Sequence, residues 1–312
     1  MHKKKLQLTI LAVFAAISTL FVSACAMRSP ADQVNESLQT SHYTVKTVQY
    51  GKMPRQSMDV YRPNIDQGKP AVVFIYGGAW RSGSKKDYKF LGHALTQLGH
   101  AVIIPDYQLY PVVSFPVFIE DVAKAIHQVE LRADNLLGRN LEEVVLMGHS
   151  AGGHTAAMLY TDKGYFNRNR VRADVVGMIG LAGPYDLTLE YTEIVGVFDG
   201  AGKRSQPIDY IKPGLAPALL LSGANDKRVL PYHSKTFSEE LAINGVDVRT
   251  RYYPNTDHIM VMGSIAQPLR HVNNSYKDIA AFLKMVSERD EAVPVTDDLL
   301  EQTNSNDLRQ VL

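Results

Sequence analysis

Glu143-Val144-Val145-Leu146-Met147-Gly148-His149-Ser150-Ala151-Gly152-Gly153-His154-Thr155-Ala156-Ala157-Met158-Leu159-Tyr160 is the stretch around which the chain is organised. Its first five residues are apolar and β-branched enough for a short buried strand, and the run from Gly153 reads as a helix that starts with small residues. Gly-x-Ser-x-Gly between a strand and a helix describes a nucleophile elbow, a turn tight enough to hold the serine in a strained backbone conformation. Gly148 and Gly152 fit because a side chain at either place would strike the neighbouring strand or helix. Such a turn presents Ser150 at the N-terminal end of a helix, where the helix dipole favours a developing oxyanion. A bare Gly-x-Ser-x-Gly match also occurs by chance, so the reading needs partners elsewhere in the chain.

Working outward, strand and helix signals alternate on both sides of the elbow. Buried strands are expected at Ala71–Tyr76, Ala101–Ile104, Val175–Leu181 and Ala218–Ser222, with a last strand at Val248–Tyr253. Helices are expected at Tyr88–Leu98, Phe115–Leu131, Ser234–Asn244 and Asn273–Val286. Thr44–Tyr50 and Gln56–Tyr61 read as two antiparallel edge strands. Leu187 to Pro213, roughly 27 residues, has several glycines and no clear core period, and is read as an excursion over the site face. This alternation implies an α/β fold with a mostly parallel sheet covered on both faces, and no internal repeat is visible.

Within 312 residues of 45% hydrophobic content there is material for one large core. The formal net charge is +1, without a basic patch or Arg-rich run, so no nucleic-acid partner is expected. No cysteine or histidine cluster at metal-ligand spacing and no nucleotide-binding glycine loop is seen, so no metal and no cofactor is expected.

The N-terminus has its own pattern. His2-Lys3-Lys4-Lys5 followed by the apolar run Leu6 to Val22 has the form of a secretory signal, with a membrane anchor helix as the rival reading. Val22-Ser23-Ala24-Cys25 resembles the bacterial lipobox, and Cys25 is the only cysteine, so it forms no internal disulfide. The expected organisation is a lipoprotein signal peptide over 1–24, a lipidated tether over 25–42, a catalytic domain over 43–288 and a polar tail over 289–312. Loss of residues 1–24 removes three lysines and leaves a net charge of −2. The expected location is the cell envelope, on a membrane through the lipid on Cys25.

A serine hydroxyl is a weak nucleophile at neutral pH and needs a base, which in turn needs an orienting acid. Of ten histidines, His258 alone falls in a loop after a late strand, downstream of the serine. His149 and His154 flank Ser150, but their side chains are expected to leave the elbow in other directions. Asp226 directly follows a strand and precedes His258, giving the order Ser150, Asp226, His258. Asp186, one strand earlier, is its main rival. Asp106 precedes the serine, and Asp257 adjoins the histidine and would point away from it.

Several further motifs occur in a fixed order: Tyr76-Gly77-Gly78-Ala79-Trp80, Asp106-Tyr107-Gln108-Leu109-Tyr110-Pro111, Phe115-Pro116 to Asp121-Val122, and Gly183-Pro184-Tyr185-Asp186-Leu187. With the elbow they resemble the esterase/lipase group of the α/β-hydrolases, the hormone-sensitive-lipase-like carboxylesterases and their arylformamidase relatives, over about residues 57–286. The resemblance implies an α/β-hydrolase fold and an oxyanion hole made by the backbone N–H groups of Gly77 or Gly78 and of Ala151. It gives Asp186 a structural role, which weakens it as the acid. Tyr76 stands where the family has histidine, and its side chain is expected to support the loop. Trp80 and Tyr107, with Tyr110, are expected to narrow a substrate pocket. The implied activity is hydrolysis of small carboxylic esters with a short-acyl preference. Amide or peptide hydrolysis on the same fold, and a non-catalytic envelope lipoprotein, are the alternatives.

Overall fold

Five apolar residues in a row, Ala71-Val72-Val73-Phe74-Ile75, are all buried, and this is the signature of a strand covered on both faces. In the computed structural model, which describes residues 30–187 and 194–288, that strand lies inside an eight-stranded sheet. The strands are β1 Tyr43–Gln49, β2 Ser57–Pro63, β3 Ala71–Ile75, β4 Val102–Pro105, β5 Glu143–His149, β6 Asp174–Leu181, β7 Ala218–Gly223 and β8 Val248–Tyr253. Their spatial order is β1-β2-β4-β3-β5-β6-β7-β8. From β4 to β8 every pairing is parallel, while β1–β2 and β2–β4 are antiparallel. The α/β-hydrolase class expected from the sequence is the fold observed.

The helices are α1 Pro30–Glu36, α2 Lys89–Thr96, α3 Val117–Glu130, α4 Ala133–Leu136, α5 Ala151–Thr161, α6 Gly164–Asn169, α7 Tyr232–Ile243, α8 Met260–Gly263 and α9 Ser275–Glu288. Every residue of α5 is buried. Small side chains explain why it can sit so deep: Gly152, Gly153, Ala156 and Ala157 let it lie directly on β3, β5 and β6.

Three expectations are corrected here. The segment ending in Tyr61 is not an edge strand, because β2 is paired on both sides, by β1 and by β4. Only β1, whose residues are mostly exposed, closes that end of the sheet. Residues 25–42 are not all free tether, because α1 docks on the domain. Asn35, only 8% exposed, accepts from the Phe90 N–H at 2.9 Å and donates to the carbonyls of Lys86 and Asp87. The Phe90 amide is one of the first-turn donors that α2 cannot satisfy internally, so a distant asparagine completes the helix end. The excursion after β6, read as having no clear core period, nevertheless buries Val197, Phe198, Ala201 and Ser205. The signal peptide, Cys25 and the 289–312 tail lie outside the described residues. No helix among the described residues is long and apolar enough to cross a membrane.

Candidate active site

A single residue, Ser150, separates the end of β5 from the start of α5. It takes φ 55° and ψ −124°, a conformation that L-residues rarely adopt. The strain is held from both sides: the Ser150 N–H donates to the Leu181 carbonyl on β6 at 2.9 Å, and the Ser150 carbonyl accepts from Gly153 N–H at 2.8 Å. A Cβ on Gly148 would stand 2.1 Å from the Gly152 oxygen, and one on Gly152 would stand 2.0 Å from the Ile75 oxygen. Glycine is therefore required at both elbow positions. The N–H of Ala151 is a first-turn amide of α5 without an intrahelical partner, at the positive end of the helix.

On the same edge of the sheet, the loops after β7 and β8 bring Asp226 and His258 together. His258 Nδ1 is 2.7 Å from Asp226 Oδ2, and both side chains are buried. The other carboxylate oxygen, Oδ1, accepts the N–H groups of Arg228 and Val229, both at 2.9 Å. Burial pushes the Asp226 carboxyl upward, but the hydrogen bond from His258 and those two amides outweigh it and hold the group below its usual range. The imidazole therefore meets an ionised acceptor that is already fixed in orientation. Ser150 is half-buried, and among the described residues no hydrogen bond links its hydroxyl to His258. Such bonds are often long before substrate arrives.

Two of the other carboxylates considered have separate duties. Asp257 Oδ1 accepts from the N–H groups of Ile259 and Met260 and so caps the short helix α8. Asp106 accepts from Tyr76 Oη at 2.7 Å and from the Lys85 N–H at 2.8 Å. Asp186 is exposed.

The loop after β3 carries Gly77 and Gly78. A Cβ on Gly77 would lie 2.9 Å from the Ser150 Cβ, so this backbone runs beside the serine. The loop is anchored by Tyr76, which is fully buried, stacked between Tyr88 and Tyr107, and accepts from Arg55 Nη2 at 2.7 Å while donating to Asp106. Gly78, Ala79 and Trp80 then take positive φ values of 121°, 52° and 56°.

Trp80 and Tyr107, expected to narrow a substrate pocket, are both buried among other side chains. Tyr107 is fully buried, with its ring on Tyr76 and its hydroxyl donating to the Tyr76 carbonyl at 2.7 Å. Trp80 is 2% exposed and packs against Phe118, His154 and Phe198. Both lie near the strand ends, where burying a large aromatic ring removes much apolar area from water. Tyr110 is half-buried beneath the Arg81 guanidinium, 4.2 Å from its ring centroid, and beside Gly196 of the excursion. The excursion is fastened by His154 Nε2, which donates to the Ser205 carbonyl at 2.7 Å, and by a two-way hydrogen bond between Gln206 and Leu187.

His149 is the residue that reading the sequence missed. Its ring does not turn away from the site but lies 4.8 Å from the His258 ring, centroid to centroid. Nothing local distinguishes it, because its direction depends on where the loop after β8 falls. Among the described residues no group of three or more His, Cys, Asp or Glu side chains is placed to hold a metal ion. An open depression of about 710 Å³ over β1 and α4, lined by Lys46, Thr47, Arg132 and Asn135, shares no residue with this site.

The BD-FAE family model matches residues 58–241. A kynurenine formamidase of Salmo salar is 26% identical over 261 residues, covering 78% of this chain and 83% of that protein. An isoprenylcysteine alpha-carbonyl methylesterase of Arabidopsis thaliana is 27% identical over 267 residues, covering 76% of this chain and 61% of that protein. Among solved structures, a truncated carbohydrate esterase from gut microbiota superposes with a TM-score of 0.70 at 20% identity, over 81% of this chain and 99% of that one. Esterase B of Lactobacillus rhamnosis superposes with a TM-score of 0.71 at 17% identity, over 93% and 99%. At these identities the structural likeness speaks for the fold.

Proposed function

This chain belongs to the BD-FAE family, and we propose that it is a carboxylic ester hydrolase in which Ser150, His258 and Asp226 carry the reaction through an acyl-enzyme. One observation carries the assignment: a buried, hydrogen-bonded Asp226–His258 pair lies on the sheet edge that also holds Ser150 in its strained turn.

In this reading Ser150 Oγ attacks the acyl carbon while His258 Nε2 takes its proton. Nδ1–H of the same ring donates to Asp226, which keeps the tautomer correct and stabilises the imidazolium. The carbonyl oxygen gains negative charge and is met by the N–H of Ala151 and by that of Gly77 or Gly78. The imidazolium then protonates the leaving alcohol. Water, deprotonated by His258, cleaves the acyl-enzyme and releases the acid.

A preference for short acyl groups belongs to the same proposal. Its support is the described part of the excursion after β6, pinned by His154 and by the packing of Phe198, together with the lack of a sustained helical apolar face in the sequence from Leu187 to Pro213. A small amide is the second reading, favoured by the likeness to a formamidase over most of that protein's length. We also propose that Cys25 carries a lipid holding the enzyme on a membrane of the cell envelope, on the strength of the lipobox-like run and the apolar stretch before it.

A fluorophosphonate probe should label Ser150 stoichiometrically, with kcat/KM falling from acetyl to palmitoyl nitrophenyl esters and aryl formamides tested beside them. Absence of labelling would remove the serine mechanism. A maximum at long chains would remove the short-acyl preference, and a higher kcat/KM for formamides would move the assignment to amides.

A further inference from the structure

We propose that His149 is a positioning residue for His258, tying the loop that carries the base to the strand that carries the nucleophile. This rests on the ester-hydrolase reading above and names a further part of the same site.

His149 is the last residue of β5, and His258 lies beyond β8, three strands away in the sheet. No strand pairing joins the two elements. The link is a side chain: His149 Nε2 lies 2.9 Å from the His258 carbonyl oxygen. A carbonyl only accepts, so the proton of the neutral ring sits on Nε2 and Nδ1 carries the lone pair. The two rings also pack together, 4.8 Å apart and tilted by 40°. The His149 ring also meets the loop after β3, where a Cβ on Gly77 would stand 3.3 Å from Nδ1. His149 thus touches the elbow, the Gly77 loop and the base at once.

Its charge state suits that place. Burial, reinforced by the charge of His258, pushes the His149 pKa down to about 3, so the ring stays neutral while the enzyme works. A second cation at this distance would oppose the imidazolium that His258 becomes when it takes the serine proton. Lysine or arginine could supply the same hydrogen bond but would bring that charge. Nδ1 is buried without a partner among the described residues, a cost that a surface-facing side chain would avoid.

The test compares donor-free and donor-bearing variants. In H149F, kcat for a nitrophenyl ester should fall by about 10- to 100-fold with KM nearly unchanged, because a base displaced by about 1 Å loses that much. The rate of fluorophosphonate labelling should fall in step. H149Q, whose amide can still donate to the His258 carbonyl, should recover at least about tenfold of the loss at a melting temperature equal to that of H149F. If H149F does not fold, H149M provides the donor-free comparison. Wild-type kcat in the folded donor-free variant, or H149Q no better than it, overturns the proposal. Wild-type enzyme without turnover or labelling would instead be a failure of the hydrolase reading itself.

Discussion

His258 Nδ1 approaches Asp226 Oδ2 to 2.7 Å although the two residues are 32 positions apart and sit on loops after different strands. The pair is withdrawn from solvent, and the second carboxylate oxygen is already occupied by two backbone amides. The carboxylate has little freedom to rotate away, so the orientation of the imidazole is set before substrate binds.

Ser150→Ala should lower kcat by about 10⁴-fold or more and leave the melting temperature close to wild type, since alanine inherits the same backbone strain. Ser150→Gly removes both the nucleophile and the strain of φ 55°, so it should be inactive yet more stable by about 1 kcal/mol. Kinetics and thermal melts of the two variants check this. Near-wild-type turnover in either would eliminate Ser150 as the nucleophile.

Asp226→Asn should cost about 10⁴-fold in kcat, because the amide oxygen would serve the Arg228 and Val229 N–H groups and turn its NH₂ toward His258. That arrangement favours the wrong tautomer. Asp186→Asn, at an exposed position, should change stability by no more than about 0.5 kcal/mol and leave kcat within about threefold. The opposite ranking in a kinetic comparison would make Asp186 the orienting acid.

Tyr76→Phe removes the phenol that joins Arg55 to Asp106 under the Gly77 loop. Losing a buried bond to charged partners should cost about 1.5–3 kcal/mol. A shift of the loop should lower kcat by about tenfold. A lower melting temperature with unchanged kcat would mean that the network supports the fold without setting the proposed oxyanion loop.

Acid should destabilise the protein in two phases. His100 and His154 are buried, which pushes each pKa down to about 4, and His149 falls to about 3. Unfolded, these rings bind protons near pH 6.5, so the unfolded chain takes up more protons and stability falls as pH drops from about 6.5 toward 4. The Asp226 carboxyl is depressed in the folded state, so its contribution is present above the ordinary aspartate range and is lost only below it. Thermal melts from pH 8 to 4 should show a decline beginning near 6.5. A melting temperature constant from 6.5 to 4.5 would contradict the buried, neutral histidines.

Cys25→Ser should yield protein that carries no lipid and leaves the membrane fraction. Mass spectrometry of the wild-type N-terminus and fractionation of both forms check this. A wild-type protein without lipid, or a variant still in membranes, would end the lipoprotein proposal.

Local pattern carried most of the architecture into view. Continuous apolar runs such as Ala71–Ile75 and Val144–Met147 declare strands buried on both faces, and the alternation with helical spacing declares a parallel sheet. The elbow was equally legible, because Gly148 and Gly152 answer to contacts that any strand-turn-helix of that tightness must make. Loop placement after successive strands was enough to nominate Ser150, Asp226 and His258.

The sequence by itself therefore determined the eight strands and the five longer helices, where the elbow lies, and the chain order of the proposed nucleophile, acid and base. All of these follow from residue type and spacing within a few turns or strands of one another. Only the tertiary structure decided that β2 is an inner strand, that α1 docks through Asn35, that Trp80 and Tyr107 are buried, and that the His149 ring turns onto His258. Each of these depends on which loop arrives beside a given side chain, a contact between residues far apart in the chain. Side-chain direction at a loop or strand end is fixed by that neighbour and not by local periodicity, so it becomes visible only when the chain is folded.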